Sequence, residues 1–207
     1  MEYDQDAMLR LTSAFGCLGL LVCSVAFGQL DADFDRPGHS TATLPLTLLP
    51  HLKKDIERDF DRADLDDCLK EQHRSLEQSV QVSRQTLGPD QHEAWLVLGY
   101  GFCIAGATNG PFLLYDKIGE RWRTLLSTSG ERLHQLKATM RGWPDLELSV
   151  HNSASSTTRY VYQFSGVRYV PISCVVTSIP LEEIIGNHPH PKQVREQCDW
   201  DWHKQRD

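Results

Sequence analysis

The stretch from Gly142 to Cys174, GWPDLELSVHNSASSTTRYVYQFSGVRYVPISC, constrains the fold more than any other part of the chain. Leu146, Leu148 and Val150 alternate with Glu147 and Ser149, the period of a strand with one buried face. Tyr160 and Tyr162 alternate with Val161 and Gln163, and Arg168-Tyr169-Val170 returns after Ser165-Gly166. The reading is a strand, a polar loop and a hairpin. A second copy lies upstream. Trp95–Gly99 reads as a strand, a Gly/Ala/Asn loop follows, and Phe112–Tyr115 turns at Gly119 and returns as Arg121-Trp122-Arg123. Gly119-x-Arg121-Trp122 and Gly166-x-Arg168-Tyr169 share one layout, so one strand-loop-hairpin unit is used twice.

The remaining periodicities complete the outline. Leu49, Leu52, Ile56 and Phe60 recur every three or four residues among Lys, Asp, Glu and Arg, and Leu65, Leu69 and Leu76 continue on similar spacing. That predicts an amphipathic helix, or two helices broken near Asp61–Ala63, with Lys53–Glu57 and Asp55–Arg58 as charge pairs on a solvated face. Val80-Gln-Val82-Ser-Arg84 then switches to period two, and Gly88-Pro-Asp-Gln91 turns it into Trp95–Leu98. The fold class is therefore α+β: a mainly antiparallel sheet of about seven to eight strands with an N-terminal amphipathic helix packed on it. Residues 49–176 form the domain, 29–48 a flexible leader and 177–207 a polar tail.

Leu11–Phe27 is the one long apolar run, and it ends in small residues before Gln29. Residues 1–28 read as a secretory signal peptide, with Met8-Leu-Arg10 as the basic leader and Met8 as the true start. A retained membrane anchor is the rival reading; after cleavage no stable membrane span is left. Export places the chain in the periplasm or outside the cell and turns four cysteines, Cys68, Cys103, Cys174 and Cys198, into candidates for two disulfides. Three pairings are open. The favoured one joins Cys103–Cys174 inside the sheet and Cys68–Cys198 between the flanks.

The formal charge of −7 gives no basic footprint, so nucleic acid is not an expected partner. Gly99-x-Gly101 leads to Pro111 and another strand rather than to a helix, so it does not cradle a phosphate, and no cofactor is expected. Asp145, His151, Ser153, Ser155 and Ser156 raise a Ser-His-Asp site, but six residues of strand hold the carboxylate and imidazole roughly 20 Å apart. His188, His190 and His203 form a candidate metal cluster whose spacing fits no standard zinc pattern. Aromatic and Arg side chains on the strands suit recognition of a protein or glycan, and Trp122, Trp143, His151, Arg159, Tyr160 and Arg168 are the candidate binding residues.

Gly142-Trp-Pro-Asp-Leu, Arg159-Tyr-Val-Tyr, Phe164-x-Gly-x-x-Tyr169 and the Cys103…Gly106-Ala-Thr-Asn-Gly-Pro111 loop give the region 78–174 its further character. On these motifs the chain resembles a group of small exported bacterial β-proteins. The resemblance implies an exported β-domain and carries no catalytic residues across. The functional expectation is an exported, non-catalytic binding or envelope-associated module, such as a periplasmic inhibitor-type domain, with a protein or glycan of the cell envelope as partner. The alternative is a secreted hydrolase or metal-dependent enzyme using His151 or the His188/His190/His203 cluster.

Overall fold

A computed structural model of the protein describes residues 30–33, 42–59, 65–89, 92–186 and 193–198. The expected signal peptide and the histidines 188, 190 and 203 lie outside them. In chain order the elements are β1 (Asp31–Asp33), α1 (Leu49–Asp59), α2 (Leu65–Glu71), β2 (Val80–Thr86), β3 (Glu93–Gly99), β4 (Gly110–Ile118) and β5 (Arg121–Gly130). β6 (Arg132–Met140), β7 (Trp143–Ser153), β8 (Ser156–Phe164), β9 (Tyr169–Ser178), α3 (Leu181–Ile185) and β10 (Val194–Gln197) follow. The chain adopts the mainly antiparallel β architecture with N-terminal helices that its periodicities predict. The strands divide between two sheets: β2-β3-β4-β5, and β1-β6-β7-β8-β9-β10.

The molecule is layered. The four-stranded sheet lies in the middle, with α1 and α2 on one face and the six-stranded sheet on the other. Leu48, Leu52, Ile56, Leu65, Leu69 and Leu76 pack with Val80, Val82, Val97, Leu113 and Tyr115 on the helix side. Leu96, Leu98, Phe112 and Leu114 pack with Leu146, Leu148, Tyr162 and Phe164 between the sheets. This double cover explains why β3 reads EAWLVLG, with six of seven positions buried, while β7 from Glu147 on and β8 carry mostly half-buried and exposed positions. Pro50 sits in the first turn of α1, where a missing N–H costs nothing.

The disulfides are Cys68–Cys103 and Cys174–Cys198, so all four cysteines are paired but the pairing favoured from the sequence is corrected. That pairing required Cys103 and Cys174 in one sheet. Cys103 instead faces the helix layer beside Ile104, within reach of Cys68 on α2. Cys174 lies on β9 in the other sheet, and the Cys198 N–H donates to its carbonyl at 3.3 Å where β10 joins the edge of β9.

Parts of both flanking segments are built into the fold. Leu30 is buried, β1 pairs with β6, and Ala42 N–H donates to the Val82 carbonyl at 3.2 Å. The polar loop expected between the Leu146–Val150 strand and the Tyr160 hairpin is a tight turn, because β7 and β8 stay paired out to Ser153 and Ser156.

Candidate functional site

The sequence-selected residues scatter over three layers. Trp122 is half-buried on the helix side, where its Nε1–H donates to Thr47 Oγ1 at 3.0 Å and its ring meets Trp95 edge-on at 6.2 Å. Trp143 is buried between the sheets, stacked on Phe164 at 4.1 Å. Both indoles spend their surface on the protein itself. His151 is clasped through its backbone: its N–H donates to Asn109 Oδ1 at 3.0 Å and its carbonyl accepts from Asn109 Nδ2 at 2.8 Å. Asp145, at the other end of β7, accepts from Gln163 Nε2 at 3.5 Å. Tyr160 packs against the intersheet core, its ring 6.4 Å from that of Tyr162.

Arg159 is exposed on the outer face of the six-stranded sheet. It lines a shallow groove of about 360 Å³ with Arg132, Arg195, Asp33 and Glu131. Charge of both signs fills this groove, and Arg132 is already committed in a two-pronged pair with Asp31 at 2.9 and 2.7 Å. The Arg132 guanidinium holds the Asp31 carboxyl below its ordinary range.

Two buried carboxylates escape sequence reasoning. Asp55, expected on a solvated helix face, is buried and accepts from Tyr115 OH at 3.0 Å and Thr124 Oγ1 at 2.7 Å, with Arg58 at 3.1 Å. Asp116 is fully buried, accepts from Arg123 through both oxygens, and lies 3.1 Å from His92 Nε2. Each carboxylate is satisfied on several sides, as a buried charge must be. Among the described residues no group of three or more His, Cys, Asp or Glu side chains is gathered as a metal would require.

Arg168 leads to a different place. It lines a cleft of about 680 Å³ between β5, which ends its sheet among the described residues, and the start of β9. Thr124, Leu125, Leu126, Ser127 and Thr128 form one wall, Tyr169, Val170 and Pro171 the other, with Arg58 and Tyr162 completing it. Its volume falls in the ordinary range for ligand sites. Tyr162 OH and Thr128 Oγ1 are hydrogen-bonded at 3.1 Å. Tyr169 OH and Ser127 Oγ are buried with no hydrogen-bond partner among the described residues. Burying an unpaired hydroxyl costs about 1–3 kcal/mol, so such groups are uncommon in a settled core. Burial, reinforced by the negative charge of Asp145, pushes the Tyr169 phenol far above its usual range. Burial also raises Tyr162, with the Thr128 hydrogen bond opposing it. Both phenols are therefore neutral at pH 7 and serve as hydrogen-bonding groups rather than bases.

Of the six candidate binding residues, only Arg168 lies in this cleft. Ser127, Thr128, Tyr162 and Tyr169 were not selected, because strands distant in sequence bring them together. The local signal was the uncharged run Thr124–Gly130, TLLSTSG, on a strand that ends a sheet. Comparison of the chain with protein-family models, with curated proteins and with solved structures finds no match.

Proposed function

We propose that this chain is an exported, non-catalytic binding module whose ligand seat is the cleft between β5 and β9. The observation that carries the reading is the pair of buried, unpartnered hydroxyls, Tyr169 OH and Ser127 Oγ, in the walls of one open cleft. A ligand that parted the wall and supplied hydrogen-bonding groups to these oxygens would remove their desolvation cost, which gives binding a source of free energy. Export is supported by the apolar Leu11–Phe27 leader and by the two disulfides, which persist in an oxidising compartment. Among the described residues no helix is long and apolar enough to cross a membrane. The resemblance to small exported bacterial β-proteins supports an exported β-domain, and the partner we propose is a protein or glycan of the cell envelope.

The test is site-specific photo-crosslinking in cells that export the chain. A crosslinker at Thr128, in the cleft, should give a discrete adduct. The same group at Glu120, on the exposed β4–β5 hairpin tip, should not. Equal, diffuse labelling at both positions would overturn the reading.

A further inference from the structure

We infer that the Cys174–Cys198 disulfide is a redox latch, and that its reduction releases β10 from the edge of β9 while the helix-side bridge Cys68–Cys103 stays closed. The inference is independent of the cleft between β5 and β9.

The two bridges hold unlike things. Cys68 sits on α2 between Leu65 and Leu69, which are buried in the helix-side core, and Cys103 packs beside Ile104 in the same core. Apolar packing therefore keeps those two sulfurs together whether or not they are bonded. Cys198 follows β10, whose side chains are half-buried at Val194 and exposed at Arg195, Glu196 and Gln197. Among the described residues β10 is attached by its backbone ladder to β9 and by the bridge to Cys174. A four-residue edge strand that buries no side chain gains too little from its ladder to offset the entropy of ordering it. Once the bridge opens, β10 leaves and the effective concentration of the two thiols falls. Thiols that drift apart reclose less readily than thiols the core holds in place, so Cys174–Cys198 is the more easily reduced of the two bridges.

The reductant is a protein dithiol. Its thiolate attacks Sγ of Cys198, the half-buried member of the pair, and the buried Cys174 sulfur leaves as a thiolate. The reductant's second thiolate then attacks the mixed disulfide and frees Cys198. Two electrons pass: the bridge becomes two thiols, the dithiol becomes a disulfide, and the dithiol's two protons end on the cysteines.

Backbone direction shows what the latch uncovers. The Cys198 N–H donates to the Cys174 carbonyl, so the backbone of Cys174 faces β10. Alternation along the strand makes Val176 and Ser178 face β10 as well, whereas Val175 and Thr177 face β8. Release of β10 bares the N–H and C=O groups of this edge, whose residues Val175–Ser178 carry no charge and no Pro. It also withdraws Gln193 and Arg195 from the groove that holds Thr157, Arg159 and Thr177 on the outer face. One redox step thus controls a strand edge and a polar groove.

The experiment is a dithiothreitol redox series on the whole mature protein, quenched by alkylation and read by peptide mass spectrometry, with amide exchange followed by NMR at each ratio. Cys174 and Cys198 should be labelled at a dithiol-to-disulfide ratio about tenfold below the one that labels Cys68 and Cys103. In the singly reduced protein the Val176 and Ser178 amides should exchange about tenfold faster or more, and Val175 and Thr177, bonded to β8, should change less. Cys198→Ser should show the same pattern without reductant, and the Cys68→Ser, Cys103→Ser pair should not. The latch is refuted if Cys68–Cys103 opens first or if both bridges open together. It is also refuted if Val176 and Ser178 keep their protection after reduction, because β10 then stays docked without its bridge. Wholesale loss of protection across β3 and β4 on opening Cys174–Cys198 refutes it as well, since the bridge would then hold the fold rather than one strand.

Discussion

The two three-stranded units, β3–β4–β5 and β7–β8–β9, share a sequence layout and a meander topology yet live in different surroundings. The first forms most of the central sheet and is covered on both faces, by α1 and α2 and by the second sheet. Among the described residues the second is covered on one face only. Its outward positions carry Glu147, Ser149, His151 and Arg159, where the first unit has Trp95, Val97, Leu113 and Tyr115. A repeated layout reproduces strand pairing, but the neighbouring layer decides how much each strand contributes. The turns differ in the same spirit. Gly119 opens a two-residue connection, whereas Gly166 sits in the four-residue loop Ser165–Arg168, where Ser165 Oγ donates to the Arg168 carbonyl at 2.7 Å.

The comparison breaks most visibly at outward-facing apolar residues. Leu113 and Val161 both point away from the intersheet core, but Leu113 is fully buried under the helices and Val161 is half-buried on the outer face. Leu113→Ala should cost about 2–5 kcal/mol by chemical denaturation, and Val161→Ala well under 1.5. Similar losses at the two positions would mean that the helix layer does not close over the first unit.

The disulfides come next. Each unit carries one: Cys103 after β3 ties it to α2, and Cys174 on β9 ties it to the strand end at Cys198. Removing either bridge by a Cys→Ser pair should cost about 2–4 kcal/mol, read as a lowered melting temperature. Alkylation of the exported protein without reductant should label none of the four cysteines. Peptide mapping that recovered Cys103 joined to Cys174 would refute the two-sheet division of the units.

The turn glycines are a smaller perturbation. Gly119 has φ +59° and Gly166 φ +105°, a region that a β-branched residue occupies only under strain. Gly119→Val and Gly166→Val should each cost about 1–3 kcal/mol, and Val167→Gly, at an exposed position, much less. A Cβ at Gly119 meets nothing within 4 Å, so its loss would be pure backbone strain; at Gly166 it meets Arg141 Nη1 at 3.2 Å. Denaturation of the three variants separates these terms.

The smallest effect lies where the two units face each other. Tyr169→Phe removes a buried, unpartnered hydroxyl and should leave the unliganded fold unchanged or raise its stability by up to about 1 kcal/mol. Tyr162→Phe breaks the bond to Thr128 and should cost about 1 kcal/mol. Both phenols have raised pKa values in the fold, so their contribution is complete below the free tyrosine value near 10 and is lost as pH rises above it. The parent should therefore destabilise above about pH 10, and Tyr169→Phe should flatten that fall. An unchanged alkaline profile would show that the phenol is not held in the buried position.

Much of the fold was legible residue by residue. The alternation at Leu146–Val150 and Tyr160–Phe164 places strands, the three-to-four spacing of Leu52, Ile56, Leu65 and Leu69 places α1 and α2, and Gly119 and Gly166 mark their turns. These are local rules of backbone geometry and amphipathicity, and they act within a few residues. The candidate site was far less legible. Aromatic residues on strands read equally as recognition or as core, and the fold spends Trp122 and Trp143 on the core. Asp55 reads as a solvent-facing helix charge until Tyr115, 60 residues away, arrives to satisfy it.

The sequence by itself determined the local conformations, the order of the strands along each unit and the supply of four cysteines for two bridges. The tertiary structure alone decided that the units fall in separate sheets, and with that the partners of Cys103 and Cys174. It also decided that, among the described residues, β5 ends its sheet beside the start of β9, and that Tyr169 OH and Ser127 Oγ are buried near one cleft without hydrogen-bond partners. The physical reason is range. A period of two specifies a buried face, but the layer that covers that face, and the edge that stays bare, follow from how all layers pack together.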